Sequence, residues 1–182
     1  RQGDALMKAE RFEEALPIWQ ALAGQEPTNS EVLLRLGIAQ SMLRRYDEAQ
    51  KYLEAALKAS PGDARIPHNL GLLFLRRGRD SDAETYLKRA LAIQGWHPEA
   101  NYHLGVIAES RGEKEKALDL YVRELDGNPS CGKAWERAFV LRRGQVPKSP
   151  PVSGPKAVAF LAACLIVSAG LVVLKKKIAR VP

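Results

Sequence analysis

The chain has 182 residues, with 28 Lys plus Arg against 21 Asp plus Glu, two Cys, three His and 46% hydrophobic residues, enough for one ordinary domain or a short repeat array. Six of the basic residues and no acidic one fall in 145–182, so residues 1–144 hold 22 basic and 21 acidic. Such a near-neutral body argues against nucleic acid as the partner, because that ligand needs a basic surplus on the folded surface. Two Cys build neither a disulfide scaffold nor a structural zinc site. With three dispersed His and no nucleophile–base set or phosphate-cradling glycine loop, the expectation is a protein that is not an enzyme and carries no cofactor or metal.

From the first residue onward the chain repeats itself. Gly3, Gly37, Gly71 and Gly105 recur every 34 residues, and Ala15, Ala49, Ala83 and Ala117 follow each of them by twelve. Four residues after each Ala comes a large apolar side chain, Trp19, Leu53, Leu87 or Tyr121, and Pro27, Pro61 and Pro129 close three of the units while Gly95 takes that place in the other. Apolar residues keep helical spacing around each Gly and again around each Ala, with short breakers at 44–47, 77–80 and 111–113. Each unit therefore reads as a helix, a tight turn and an antiparallel second helix. Glycine inside a helix costs roughly 1 kcal/mol relative to Ala, so four glycines, each matched by a small Ala, point to a close approach of the two backbones. Neither helix can bury its apolar stripe alone, and stability has to come from stacked neighbours.

This pattern resembles the tetratricopeptide repeat, whose 34-residue signature runs Trp, Leu–Gly, Tyr, then Ala, an aromatic and Pro. The resemblance covers residues 1 to about 143 and rests on Leu36-Gly37, Leu70-Gly71, Leu104-Gly105, the four alanines, Trp19 and Tyr121. It departs at the first signature position, where Leu33, Pro67 and Asn101 stand, although Trp135 occupies that place in a fifth, partial unit. The resemblance implies an all-α fold, a right-handed solenoid of about four repeats (1–29, 30–63, 64–97 and 98–131) with a cap helix over 132–143, the whole spanning 1–144. Residue 1 falls inside the first helix of the first unit, so further helical residues are expected upstream. In the cap, Ala134, Ala138 and Leu141 face inward, while Lys133, Glu136, Arg137, Arg142 and Arg143 face water.

The family geometry also implies a concave groove, lined by the first helices, that binds peptides or protein segments. The sixth position of each first helix then points into it: Arg1, Arg35, Asn69, His103 and Arg137. Arg65, Arg76 and Lys133 face the same way, and Glu31 and Glu99 interrupt the stripe. One reading is a groove biased toward an acidic or extended protein segment, since Arg pairs planar acceptors well. The other is an ordinary solvated helix face. A clamp for the acidic tails of heat-shock chaperones is not expected, because starting from the third unit the chain offers His68, Leu72, His103, Lys133 and Arg137, of which only the last two fit. His68 and His103 fall on adjacent first helices, but two His without a third ligand make a poor metal site. Cys131 is read as a small residue in a turn, and Trp19, Tyr52, Tyr86 and Tyr121 as core.

Residues 145–156, QVPKSPPVSGPK, form a proline-rich linker that cannot enter a helix or strand. Residues 157–174, AVAFLAACLIVSAGLVVL, carry no charge and read as one transmembrane helix about 27 Å long, followed by a basic tail over 175–182. On a helical wheel Ala159, Ala162, Ala163, Ala169 and Gly170 share one arc, which suits packing against another transmembrane subunit. The layout resembles that of tail-anchored outer-membrane adaptors and of bacterial membrane-tethered repeat proteins. Basic residues flank the span evenly, so its orientation stays open, with the repeats on the cytoplasmic side favoured for a lone C-terminal span. The expected function is a membrane-anchored scaffold or adaptor that binds a protein partner through the groove; the alternative is a structural or assembly subunit of a membrane complex.

Overall fold

The structure, a computed structural model, describes residues 2–142. Arg1, Arg143, Gly144, the linker 145–156, the apolar segment 157–174 with Ala159, Ala162, Ala163, Ala169 and Gly170, and the tail 175–182 lie outside the described residues. Among the described residues there are nine α-helices: α1 (Gln2–Lys8), α2 (Phe12–Gln25), α3 (Ser30–Met42), α4 (Tyr46–Ala59), α5 (Arg65–Arg76), α6 (Asp80–Gln94), α7 (Ala100–Ser110), α8 (Lys114–Gly127) and α9 (Gly132–Leu141). They pack in sequence order, α1 on α2, α3 on α4, α5 on α6 and α7 on α8, with each pair touching the next and α9 closing the row against α8. None of these helices is long and apolar enough to cross a membrane.

Both kinds of turn repeat with the sequence period. Within each hairpin one residue takes a positive φ: Glu10 at 57°, Arg44 at 61°, Gly78 at 70° and Gly112 at 78°. The amide that follows each of them bonds back five residues, Arg11 to Leu6, Arg45 to Gln40, Arg79 to Phe74 and Glu113 to Ala108, all at 2.9 Å. This is the left-handed helix end that satisfies the last carbonyls. The turns are therefore shorter than the expected breakers, and Asp47 and Asp80 already lie in the first turns of α4 and α6, where acidic side chains favour the helix dipole. Pro67, at the place of the family's Trp, is fully buried in the first turn of α5, where no intrahelical donor is lost.

The close approach at the glycines is present, and its main occupant is the large side chain rather than the small one. A Cβ on Gly37 would lie 2.5 Å from Leu53 Cγ and 3.3 Å from the Ala49 carbonyl; on Gly71, 2.7 Å from Leu87 Cγ and 3.3 Å from the Ala83 carbonyl. Gly3 faces the Trp19 indole at 2.8 Å and Gly105 faces the Tyr121 ring at 2.5 Å. The aromatics read as core are core: Trp19 and Tyr121 are buried, while Tyr52 and Tyr86 pack partly buried against the central cluster. Three apolar clusters run along the array, one from α2 and α3, a central one from α3 to α7 and one from α7 to α9.

The cap helix behaves as expected on its inner face, with Ala134 and Ala138 buried, Leu141 half-buried and the Trp135 indole donating to the Pro129 carbonyl at 3.0 Å. Its outer face is less polar than the charge pattern suggests, because Val140 is 61% exposed between Arg137 and Arg142, and Arg142 is half-buried. Cys131, a buried free thiol, is the residue on which α9 begins.

Candidate functional site

First helices of neighbouring repeats meet through side chains, α1 with α3, α3 with α5 and α7 with α9, while between α5 and α7 the His68 and His103 rings stand 6.3 Å apart. Arg35 Nε of α3 lies 3.3 Å from Asp4 Oδ1 of α1, and Arg65 of α5 reaches Glu31 of α3 at 2.8 Å. Arg76 of α5 donates to Ser41 Oγ at 3.0 Å and approaches Met42 Sδ of α3 at 3.2 Å. Arg137 of α9 donates to Glu109 Oε1 of α7 at 3.3 Å, and Lys133 Nζ lies 3.7 Å from Glu99 Oε1. Of the expected basic stripe, Arg35, Arg65, Arg76, Lys133 and Arg137 make these contacts to the preceding first helix.

The electrostatics of the stripe differ from a plain basic one. Glu31 does not interrupt it; its two oxygens take Arg35 and Arg65, each at 2.8 Å. Arg65 also grips Asp63 at 2.7 Å, which holds the Asp63 carboxyl below its ordinary range and raises the guanidinium. His103 Nε2 lies 3.8 Å from Glu99 Oε2, and burial lowers its pKa, with Glu99 pulling the other way. Glu109 is shared between Arg137 and the Tyr121 hydroxyl, which donates to it at 2.7 Å; burial first, and that bond second, hold the phenol proton on. At the centre, Asn69 spends its amide donor on the Arg65 carbonyl at 2.8 Å. Asn69 is half-buried and Arg76 exposed there, with half-buried Leu72 between them on the same helical face.

An apolar ladder was overlooked in the sequence although it has the same period: Ile38, Leu72, Val106 and Val140, three residues after Arg35, Asn69, His103 and Arg137. The first three are half-buried and the last is exposed. The surface is thus a row of apolar side chains edged by matched charges.

The opposite layer is held by the hairpin turns. Arg45 reaches back to Glu13 at 2.9 Å, Arg77 to Asp47 at 3.0 Å and to Gln50 at 3.0 Å, and Arg111 to Glu84. Lys88 and Arg111 together hold Glu84 down to about 2. These contacts tie each repeat to the one before it.

One element fell outside the sequence reading altogether. Glu124 of α8 is completely buried, and its Oε1 accepts the amide of Glu99 at the start of α7 at 2.9 Å. Burial raises its pKa, opposed by the amides of Glu99, Tyr102 and Asn101. The carboxylate serves as the N-terminal cap of a neighbouring helix. The signal was available: at the same place in the other units stand Leu22, Ala56 and Ala90. No group of three or more His, Cys, Asp or Glu among the described residues could hold a metal ion.

Sequence models of the tetratricopeptide repeat match residues 6–70, 42–94 and 69–130, together more than half of the chain. None of the curated proteins matches the sequence significantly. Among solved structures the fold is similar to a crystal structure of MamA, at 22% identity and a TM-score of 0.70 over 93% of this chain and 96% of that one. It is similar to a thermophilic tetratricopeptide protein of Thermus thermophilus, at 23% identity and a TM-score of 0.68 over 78% of each chain. It also resembles the repeat domain of Arabidopsis OM64, at 22% identity and a TM-score of 0.59 over 64% of this chain and 96% of that one. At these identities the likeness speaks for the fold. By its sequence period and the nine packed helices of its described residues, the chain belongs to the tetratricopeptide repeat family.

Proposed function

We propose that this chain is a protein-interaction scaffold, tethered to a membrane by 157–174, that takes one extended partner segment along the surface of α1, α3, α5, α7 and α9. The observation that carries this reading is the ladder of apolar side chains, Ile38, Leu72, Val106 and Val140, edged by paired charges whose partners lie one repeat away. Covering such side chains supplies affinity, on the order of 1–2 kcal/mol for each one fully buried. The ion pairs are solvent-exposed and worth about 0–1 kcal/mol each, so a carboxylate on the partner can exchange into them at little cost. They set register and selectivity rather than strength. Arg76, exposed at the centre and bonded to Ser41 and Met42, is the anchor best placed for such a carboxylate.

The test begins with partners recovered by cross-linking from solubilised membranes and measured against the full chain in detergent. Arg76→Glu, and Arg35→Glu combined with Arg137→Glu, each weaken binding at least about tenfold, a loss of about 1.4 kcal/mol, without changing the unfolding midpoint by much. An unchanged Kd removes the surface from consideration. The tether is tested separately: the full chain stays with membranes through alkaline carbonate extraction, and release of the intact chain overturns that part of the reading.

A further inference from the structure

His68, His97 and His103, the three histidines of the chain, are not dispersed in space but meet at the joint between α6 and α7. The His97 ring stacks on His68 with centroids 4.2 Å apart and an interplanar angle of 30°, and the His103 ring stands 6.3 Å from His68. His68 and His97 are each 8% exposed. His68 Nε2 is enclosed and has no hydrogen-bond partner, while His97 Nδ1 lies 3.2 Å from the Pro98 carbonyl. Stacked rings turn their nitrogens outward past one another, and the cluster does not gather as a metal site among the described residues. The backbone around it is held in unusual conformations, Gly95 at φ 73° and ψ −42° and Glu99 at φ 61°.

We propose that His68, stacked on His97, is an acid-sensitive latch: the neutral, enclosed His68 ring closes the joint between the third and fourth repeats, and protonation of His68 parts α5 from α7. A buried imidazolium at His68 loses its hydration and gains no hydrogen-bond partner at its enclosed Nε2, so the closed joint accepts that proton poorly. Burial, then the charges of His97 and His103, push His68 down to about 3. Because its folded pKa lies below the ordinary His value of about 6.5, its contribution is fully present above that value. It is lost as pH falls from there toward 3.

The surrounding charges divide. Asp63, just before α5, feels His97, and Glu99, at the start of α7, favours charge on His103. Arg76 of α5 and Lys133 of α9 oppose it. Arg65 of α5 is engaged by Asp63 and by Glu31 of α3, and Glu124 of α8 faces the α7 amides. Since His103 and Asn69 belong to the proposed binding surface, opening the joint also breaks that surface at its centre; this consequence rests on the functional reading above, whereas the latch does not.

Hydrogen exchange of the full chain in detergent, with rates corrected for intrinsic pH dependence, is the test. Between about pH 7.5 and about pH 5, exchange across 95–105 rises at least about tenfold relative to α4, since an opening-linked proton contributes about tenfold per pH unit below its unfolded pKa. His68→Phe keeps an aromatic stack without the proton and removes that difference; should it fail to fold by far-ultraviolet dichroism, His68→Gln takes its place. No local rise in the wild-type chain, or the same rise in the folded His68 variant, overturns the latch. Local opening with an unchanged Kd for a recovered partner leaves the latch standing and overturns the central-surface reading instead.

Discussion

The joint between the second and third repeats and the joint between the third and fourth occupy the same place in the 34-residue period and are built in opposite ways. At the first, Pro61 comes after Ser60, the residue that ends α4, and the Asp63 side chain satisfies the first amide of α5, Oδ1 accepting the Arg65 N–H at 3.0 Å. At the second, the Pro position holds Gly95 and the Asp position holds His97, with Trp96 lying over Gly127, where a Cβ would meet the indole. No side chain of the joint caps α7; a carboxylate from the following helix, Glu124, does so from the interior. A regular joint is closed by residues next to one another in sequence. The irregular one is closed only when α8 has folded back upon it, so its integrity depends on tertiary contacts that a proton or a substitution can withdraw.

Breaking the tertiary cap tests this most severely. Glu124→Ala removes the acceptor of the α7 amides and lowers stability by roughly 2–3 kcal/mol, read as a shift of the chemical denaturation midpoint, with exchange rising first in α7 to α9. Gly95→Ala comes next: its positive φ is strained for any side chain although nothing lies within 4 Å of the added methyl, and the loss is roughly 1–2 kcal/mol. Asp63→Ala, in the regular joint, removes one local cap and costs about 1 kcal/mol, with exchange rising in the first turn of α5 alone. If Asp63→Ala proves costlier than Glu124→Ala, the contrast between the two joints is wrong.

The regular parts of this molecule were legible because a solenoid maps sequence period onto spatial neighbourhood. Gly37 and Leu53 meet because every unit places its small and large residues in the same register, and a fixed count of 34 reveals that without coordinates. The cross-repeat pairs follow the same logic, though a stripe of basic residues interrupted by Glu31 and Glu99 does not by itself reveal them: Arg65 lies one period after Glu31, hence on the next rung, and the two meet. The third joint was illegible for the converse reason. His97, Trp96 and Glu124 break the period, and each looks like an isolated substitution until folding brings the three together. The informative signal there is the deviation itself, a His where Asn29 and Asp63 stand and a Glu where Ala56 and Ala90 stand.

The smallest effect sharpens the comparison from the regular side. The four hairpin turns share one backbone, yet only Gly78 and Gly112 suit its positive φ, while Glu10 and exposed Arg44 bear the same conformation with side chains. A non-glycine residue in this region costs about 1–2 kcal/mol, partly offset on replacement by the extra freedom that glycine gives the unfolded chain, roughly 0.5–1 kcal/mol. Arg44→Gly therefore raises stability by a net of about 0.5 kcal/mol, visible as a small upward shift of the denaturation midpoint with an unchanged slope. Arg44 makes way without loss because the contact to the preceding repeat comes from its neighbour, Arg45 to Glu13. A loss on this substitution means that the first turns carry packing which the period does not reveal, and the regular half of the array is then less regular than its sequence.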